Sequence, residues 1–297
     1  MLPGNIETIP AKAIVTRVSK PSNWFGAEYN MNIYRGCSHG CIYCDSRSDC
    51  YQDKNFETVK VKENALQVIR NDLRRKVKTG VIATGAMSDP YNPLDQELKL
   101  TRHSLELINA FGFGVAIATK SAFVTRDLDV LQDIKNHSPI IVKITITTAD
   151  NNICNKIEPR VSNTTERLEA LARLADSGIY CGVLLNPVLP FITDTEENIA
   201  GILRMAKEAG AKFVHTFMGM TLRAGNREHY YTQLDKHFPN IKNKHIKRFG
   251  NRYNCPAPNA KNLWTEFTAE CERLGLLYDM RAITSQYKMS YNQLTLL

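Results

Sequence analysis

Between residues 31 and 220, short apolar runs alternate with amphipathic ones, and that alternation leaves few architectures open. The apolar runs are "MNIYRGC" (31–37), "GVIATGAM" (80–87), "GVAIATKS" (114–121), "IIVKITITT" (140–148), "IYCGVLLNPV" (179–188) and "KFVHTFMGM" (212–220). Between them lie segments with helical apolar spacing at 63–78, 100–112, 127–137, 163–178 and 193–211. The strand runs are apolar almost throughout, as expected of parallel strands covered by helices. Six such strands are too few to close an eight-stranded barrel, so a partial barrel or a doubly wound sheet remains. Either fold places ligands at the C-terminal ends of its strands. The polar clusters "CSHGCIYC", "SDPYNP", "TKS", "TTAD" and "NPVLP" all fall there.

The rest of the chain frames that core. Residues 1–30 read as an N-terminal extension, 31–220 as the β/α domain, and 221–297 as a C-terminal extension richer in charge and aromatics, with a helix over 260–275. The N-terminus lacks the basic-then-apolar pattern of a secretion signal, and no apolar run approaches the roughly 20 residues that span a bilayer. A cytoplasmic protein is expected. Eight cysteines among 297 residues are too sparse for a disulfide scaffold.

Three of those cysteines, Cys37, Cys41 and Cys44, fall within eight residues where the first predicted strand ends. A closed structural zinc site takes four ligands and a disulfide takes two. Three thiols fit a metal centre that keeps one position open, and four-iron clusters take one cysteine per iron. The competing reading is a zinc site completed by His39 or Cys50. Cys154, Cys181, Cys255 and Cys271 lack metal-type pairing and read as buried, inert thiols.

The net charge of +8 admits a polyanionic partner. "RNDLRRKVK" (70–78) has helical spacing and reads as a solvated helix face. "KHFPNIKNKHIKRFGNRY" (236–253) mixes basic residues with Phe238, Phe249 and Tyr253 and has no acid, a composition that suits a nucleic-acid strand or a solvated basic surface equally.

With its Cys-x3-Cys-x2-Cys spacing and an aromatic residue before the third cysteine, "CSHGCIYC" resembles the cluster motif of the radical S-adenosylmethionine (SAM) superfamily. The stretches "SDPYNPLDQELKLTRHSLELI", "ATKSAFVTRDLDVL", "ITITTAD", "KIEPRVSNTTERLEALARLADSG" and "LLNPVLP" are similar to the spore photoproduct lyase group. The resemblance implies an α/β fold, a partial (β/α)6-type barrel with a C-terminal α-rich extension. It implies a [4Fe–4S] cluster on Cys37, Cys41 and Cys44, with the open iron chelated by SAM. An electron donor such as flavodoxin or ferredoxin then drives cleavage to a 5′-deoxyadenosyl radical, which abstracts hydrogen from a substrate, nucleic acid among the candidates.

By the same resemblance Tyr43 presents its backbone to adenine, Ser88 lines the cofactor pocket, and Lys120 and Thr145 contact SAM. Packing alone would also explain Tyr43 and Thr145, a turn would explain Ser88 and Asp89, and solvation would explain Lys120. Glu158 and Arg167 read as an internal ion pair. Spore photoproduct lyase carries a hydrogen-donating cysteine just ahead of its Ser-Asp pair, where this chain has Ala86. The resemblance therefore implies lyase-like radical initiation but leaves the terminal hydrogen donor open. The rival from another class is a zinc- or cluster-stabilised nucleic-acid-binding module without catalysis.

Overall fold

The computed structural model describes residues 6–18 and 24–292, so parts of the N-terminal extension and the last residues of the tail lie outside the described residues. The main sheet contains β1 (Val15–Arg17), β2 (Tyr29–Met31), β3 (Val81–Thr84), β4 (Gly114–Thr119), β5 (Ile140–Thr145), β6 (Cys181–Leu185) and β7 (Phe213–Thr216). Their spatial order is β7-β6-β5-β4-β3-β2-β1, and every pairing is parallel except the edge pair β1–β2. Six parallel strands in sequential order, joined by five crossovers, make the partial barrel, one of the two folds the alternation left open.

The strands read as continuous apolar runs because both faces are covered. Along β5, Val142 and Ile144 join the core under the outer helices, while Ile141 faces inward. The outer layer comprises α1 (Ala65–Arg74), α2 (Leu100–Ala110), α3 (Leu128–Lys135), α4 (Thr164–Asp176) and α5 (Glu196–Glu208). Helix α4 starts at a reciprocal capping box between Asn163 and Glu166, which satisfies two otherwise orphaned backbone donors. Arg70, Arg74 and Arg75 are exposed along the solvent face of α1, as their spacing predicts.

The C-terminal residues form α6 (Asn226–His237), α7 (Ile241–Phe249), α8 (Ala260–Leu274) and α9 (Met280–Asn292). Helix α8 packs on α5. Ile283 and Tyr287 of α9 join Phe25, Val81, Ala116, Ile141, Leu184 and Phe213 on the inner face of the sheet.

Two strand expectations change in detail. The run 31–37 divides: β2 stays in the main sheet, while Tyr34–Arg35 leaves it to pair antiparallel with Lys60–Lys62. The division falls at Asn32–Ile33, and Gly36, with φ 78° and a Cβ position 2.5 Å from the Thr58 carbonyl oxygen, then turns the chain into the cysteine loop. The run 212–220 also breaks, its end forming an antiparallel pair between Gly219–Thr221 and Asn254–Pro256.

Candidate cofactor site at the strand ends

The cysteine loop sits over the C-terminal ends of the strands and is pinned by backbone hydrogen bonds at both ends. Cys37 N donates to Phe56 O (2.8 Å), Ile42 N to Ile157 O (3.0 Å), and Arg160 N to His39 O (3.1 Å). Cys41 is buried, Cys37 and Cys44 are half-buried, and none of the eight cysteines is in a disulfide. Burial, reinforced by the charge of Asp89, pushes the Cys37 thiol up to about 11. Burial likewise pushes Cys41 well above the usual thiol range, against the opposing pull of Lys120. Thiols so disfavoured as anions ionise once a cation takes over their charge, which is the condition a metal centre supplies.

Residues distant in sequence close around this loop. Ser88 Oγ donates to the Gly36 carbonyl at 2.5 Å, tying the turn after β3 to the residue before Cys37. Gly85 makes that turn with φ 95°, and any side chain there would collide with the Ala118 carbonyl. Buried Asp89 is the junction: its carboxylate accepts from Thr119 Oγ1 (2.6 Å), Lys120 N (2.8 Å) and Tyr91 N (3.0 Å). His39 Nδ1 lies 3.6 Å from the same carboxylate, and burial drives the imidazole toward its neutral form. Asp89 thus fastens the cysteine loop to the end of β4. Sequence reading credited it with a turn only.

Lys120 follows β4 directly, and its Nζ lies 5.7 Å from the centre of the Tyr43 ring. Burial opposes its charge, but the acidic groups of Cys41, Glu158 and Cys44 outweigh that and raise its pKa. Thr145 ends β5 on the inner face of the sheet and is buried. The Tyr43 ring packs with Ile157, Leu189 and Tyr230, and its hydroxyl bonds to Glu158. Its carbonyl accepts from Asn226 Nδ2 at 3.4 Å, while the buried Asn226 Oδ1 has no partner among the described residues.

Under the loop runs a buried polar network whose full extent the sequence concealed. Glu158 and Arg167 are both fully buried and 2.6 Å apart, the internal ion pair expected. Arg167 also donates to Thr145 O (2.9 Å) and Ser162 O (2.7 Å), and Thr147 Oγ1 donates to Glu158 (3.3 Å). Burial alone would raise the Glu158 pKa, but Arg167, Lys120 and the Tyr43 hydroxyl together bring it below the usual range.

The two candidate fourth ligands for zinc point to other partners. His39 faces Asp89, and Cys50 is exposed with its Sγ 3.4 Å from Arg223 Nη1. Among the described residues no group of three or more His, Cys, Asp or Glu side chains is arranged for a single metal ion. Cys154, Cys181, Cys255 and Cys271 are all buried. In the basic segment, His245 and Phe249 face inward from α7, while Lys244, Lys247 and Arg248 are exposed. Lys242 pairs with Asp235 at 2.5 Å. No helix among the described residues is long and apolar enough to cross a membrane.

Comparison with known proteins places this geometry in a family. The chain is 31% identical over 220 residues to an uncharacterized protein of Mycobacterium bovis, covering 72% of this chain and 64% of that one. It thus spans about two thirds of the length of that relative, a little under. It is 34% identical over 194 residues to an uncharacterized protein of Methanocaldococcus jannaschii, covering 64% and 71% of the two chains. A solved structure of spore photoproduct lyase complexed with dinucleoside spore photoproduct superposes with a TM-score of 0.64 at 16% identity, covering 84% of this chain and 75% of that one. That likeness extends to the fold. Residues 31–206 match the Radical SAM superfamily, whose members are enzymes that use a [4Fe–4S] cluster and SAM. With that match covering more than half its length, the chain belongs to the radical SAM superfamily.

Proposed function

We propose that Cys37, Cys41 and Cys44 hold the cluster and that the strand ends around them bind SAM, so that the enzyme abstracts hydrogen from a substrate lodged against the inner face of the half-barrel. The observation that carries this reading is the convergence of three buried or half-buried thiols, the Lys120 ammonium and the Asp89–Ser88 turn on one end of the sheet. When bound, the cluster and SAM supply one-electron cleavage of the sulfonium and a hydrogen-abstracting carbon radical.

The chain's own groups then have distinct tasks. Lys120 balances the thiolate charge and stands ready for the SAM carboxylate. The Tyr43 carbonyl and the unpartnered Asn226 Oδ1 are two acceptors close together, suited to an exocyclic amine such as that of adenine. Ser88 fixes the Gly36 carbonyl, and Thr145 offers a hydroxyl from β5. The cover of α6 and α7 over the outside of the loop keeps bulk water from the reacting centre. An electron donor such as flavodoxin or ferredoxin is the partner this chemistry requires. Iron and acid-labile sulfide analysis after anaerobic purification tests the reading, and cleavage of SAM by the reduced protein completes the test.

A nucleic-acid substrate is favoured by one specific observation: the outward row Lys244, Lys247 and Arg248, with Tyr253 exposed nearby in sequence. Binding of duplex or single-stranded DNA should weaken steeply with salt. Lys244→Ala with Lys247→Ala should then reduce the log–log slope by about one unit per lysine. A slope unchanged in the double variant would return α7 to an ordinary solvated face.

The same reading limits the product. Ala86 is exposed at the open end of the sheet, where the related lyase has its donor thiol, and a methyl group cannot stand in for S–H. Tyr91 is buried in the outer core beside Arg126, and Cys50 rests against Arg223, so neither faces the inside of the half-barrel. Offered a spore-type thymine lesion, the reduced enzyme should form 5′-deoxyadenosine but restore little thymine. Efficient repair that persists when Cys50 and Tyr91 are replaced would refute the donor argument.

A further inference from the structure

Lys143 is a charged residue in the middle of a β-strand, 2% exposed, and among the described residues it has no hydrogen bond or ion pair. Its one polar contact is with a ring: Nζ lies 4.6 Å from the centre of Phe25. Buried ammonium groups are normally paired, because the cost of removing three N–H donors from water is otherwise uncompensated. Strand register explains where it points. In the parallel ladder Lys143 stands opposite Ala118 on one side and Gly182 on the other, so its row of the inner face is small on both flanks. Gly182 cannot carry a side chain, since a Cβ there would meet the Phe213 ring at 2.6 Å. The next pair toward the strand ends is Thr145 opposite Leu184, and Leu184 is in turn opposite His215. Lys143 is therefore one row below the proposed radical site, on the same face of the sheet.

Two further features mark the place. His215 has a buried Nδ1 without a partner among the described residues, and its ring packs on Phe25 at 5.6 Å. Burial drives that imidazole neutral, so it adds a hydrogen-bonding atom and no charge. Phe25 itself has φ 49°, a conformation that bulky residues rarely adopt, and is held there by the Tyr287 hydroxyl on its carbonyl (2.6 Å) and by Met280 Sδ. Asp279 acts on the His215 imidazole through its charge while its carboxylate accepts from the Arg281 and Ala282 amides, and Glu28 pairs with Lys288 at 2.7 Å. The Tyr180 hydroxyl donates to Gln286.

We infer that Lys143 is a substrate-anchoring residue, taking a carboxylate or phosphate oxygen of the substrate on the inner face of the half-barrel while His215 Nδ1 meets a second polar atom of the same molecule. The assignment rests on the strand ends being the radical site. An oxyanion supplies both the countercharge and the acceptors that the ammonium lacks, and it arrives past Thr145 and Leu184 toward the reacting carbon. Burial by itself lowers the Lys143 pKa to about 7, so the free site is only partly charged near neutrality and an anion draws a proton in with it.

The test uses the cluster-loaded, oxidised protein with ¹³C-labelled lysine side chains. One Cε resonance should titrate near pH 7 and be missing in Lys143→Met. Saturating inorganic phosphate or acetate, against chloride at equal ionic strength, should move that midpoint upward by about one unit, the mark of roughly tenfold tighter binding to the protonated amine. Phosphate acting alone identifies a phosphate ester as substrate, acetate alone a carboxylate, and either supports the assignment. A midpoint indifferent to both anions overturns it. Lys143→Met should also raise the melting temperature by about 2–4 °C, because it removes an unpaired buried charge. A lower melting temperature would make the lysine a packing element and overturn the assignment too. Iron and sulfide content of the same preparation reports on the cysteine loop separately, so loss of the cluster and failure of the lysine assignment are told apart.

Discussion

Replacing Cys41 with alanine should take the protein from about four irons and four sulfides per chain to none, and abolish SAM cleavage with them. The middle thiol is the most telling of the three because of its setting. Cys41 is buried, and the adjacent Ile42 amide is hydrogen-bonded to the Ile157 carbonyl at 3.0 Å, so the backbone cannot swing another group into its place. Cys50, nearest in sequence among the remaining thiols, is exposed against Arg223 and held in a separate 3-10 turn, Asp49–Tyr51. The fold itself should tolerate the change. Alanine removes a thiol whose ionised form burial disfavours, and the loop retains its backbone bonds. Loss of cluster, with a melting temperature matching that of the cluster-free native protein, is therefore the expected pairing. Stoichiometric zinc without sulfide, in protein prepared free of air, would sink the cluster reading.

The repeating alternation carried most of the fold, because parallel strands covered on both faces need apolar residues at every position and helices need them every third or fourth. That logic located β3 to β7 and α1 to α5 from sequence, with ends shifted by a few residues. It could not see the split of the 31–37 run, since Tyr34 is as good a strand residue in a small sheet as in a large one, and its partner strand Lys60–Lys62 lies outside the alternating runs. The thiols were legible because three cysteines in eight residues have no common structural explanation. Asp89 was not: its partners Thr119, Lys120 and His39 lie some 30 to 50 residues away in sequence, and a Ser-Asp-Pro run already makes sense as a turn. Lys143 was hidden for the opposite reason. One lysine in "IIVKITITT" carries no sequence sign of its own, and only its 2% exposure and the register of β4, β5 and β6 show it enclosed.

Breaking the buried pair beneath the loop should strongly destabilise the chain. Arg167→Met leaves the Glu158 carboxylate fully buried without its 2.6 Å partner, and breaking such a pair from one side costs about 3–5 kcal/mol. The sign of the pH dependence identifies the cause. In the native protein the Glu158 pKa is depressed, so its contribution is complete above the ordinary glutamate value and is lost only as pH falls through the depressed one. In Arg167→Met the strongest of the groups opposing burial is gone, so the carboxyl pKa rises from its depressed native position. The penalty therefore grows as pH rises through that native value, and it is smallest in acid. Thermal melts at several pH values should show that widening gap, and adding Glu158→Gln to Arg167→Met should close part of it by removing the stranded charge. A gap independent of pH would mean that lost packing, not the ion pair, governs the site. The consequence reaches the cofactor loop, because Glu158 holds the Tyr43 hydroxyl and its neighbour Ile157 holds the Ile42 amide. A chain that must bury this ion pair to fold places Cys41 and Cys44 on either side of residues it anchors, so cluster retention in Arg167→Met should fall in the same pH range as stability.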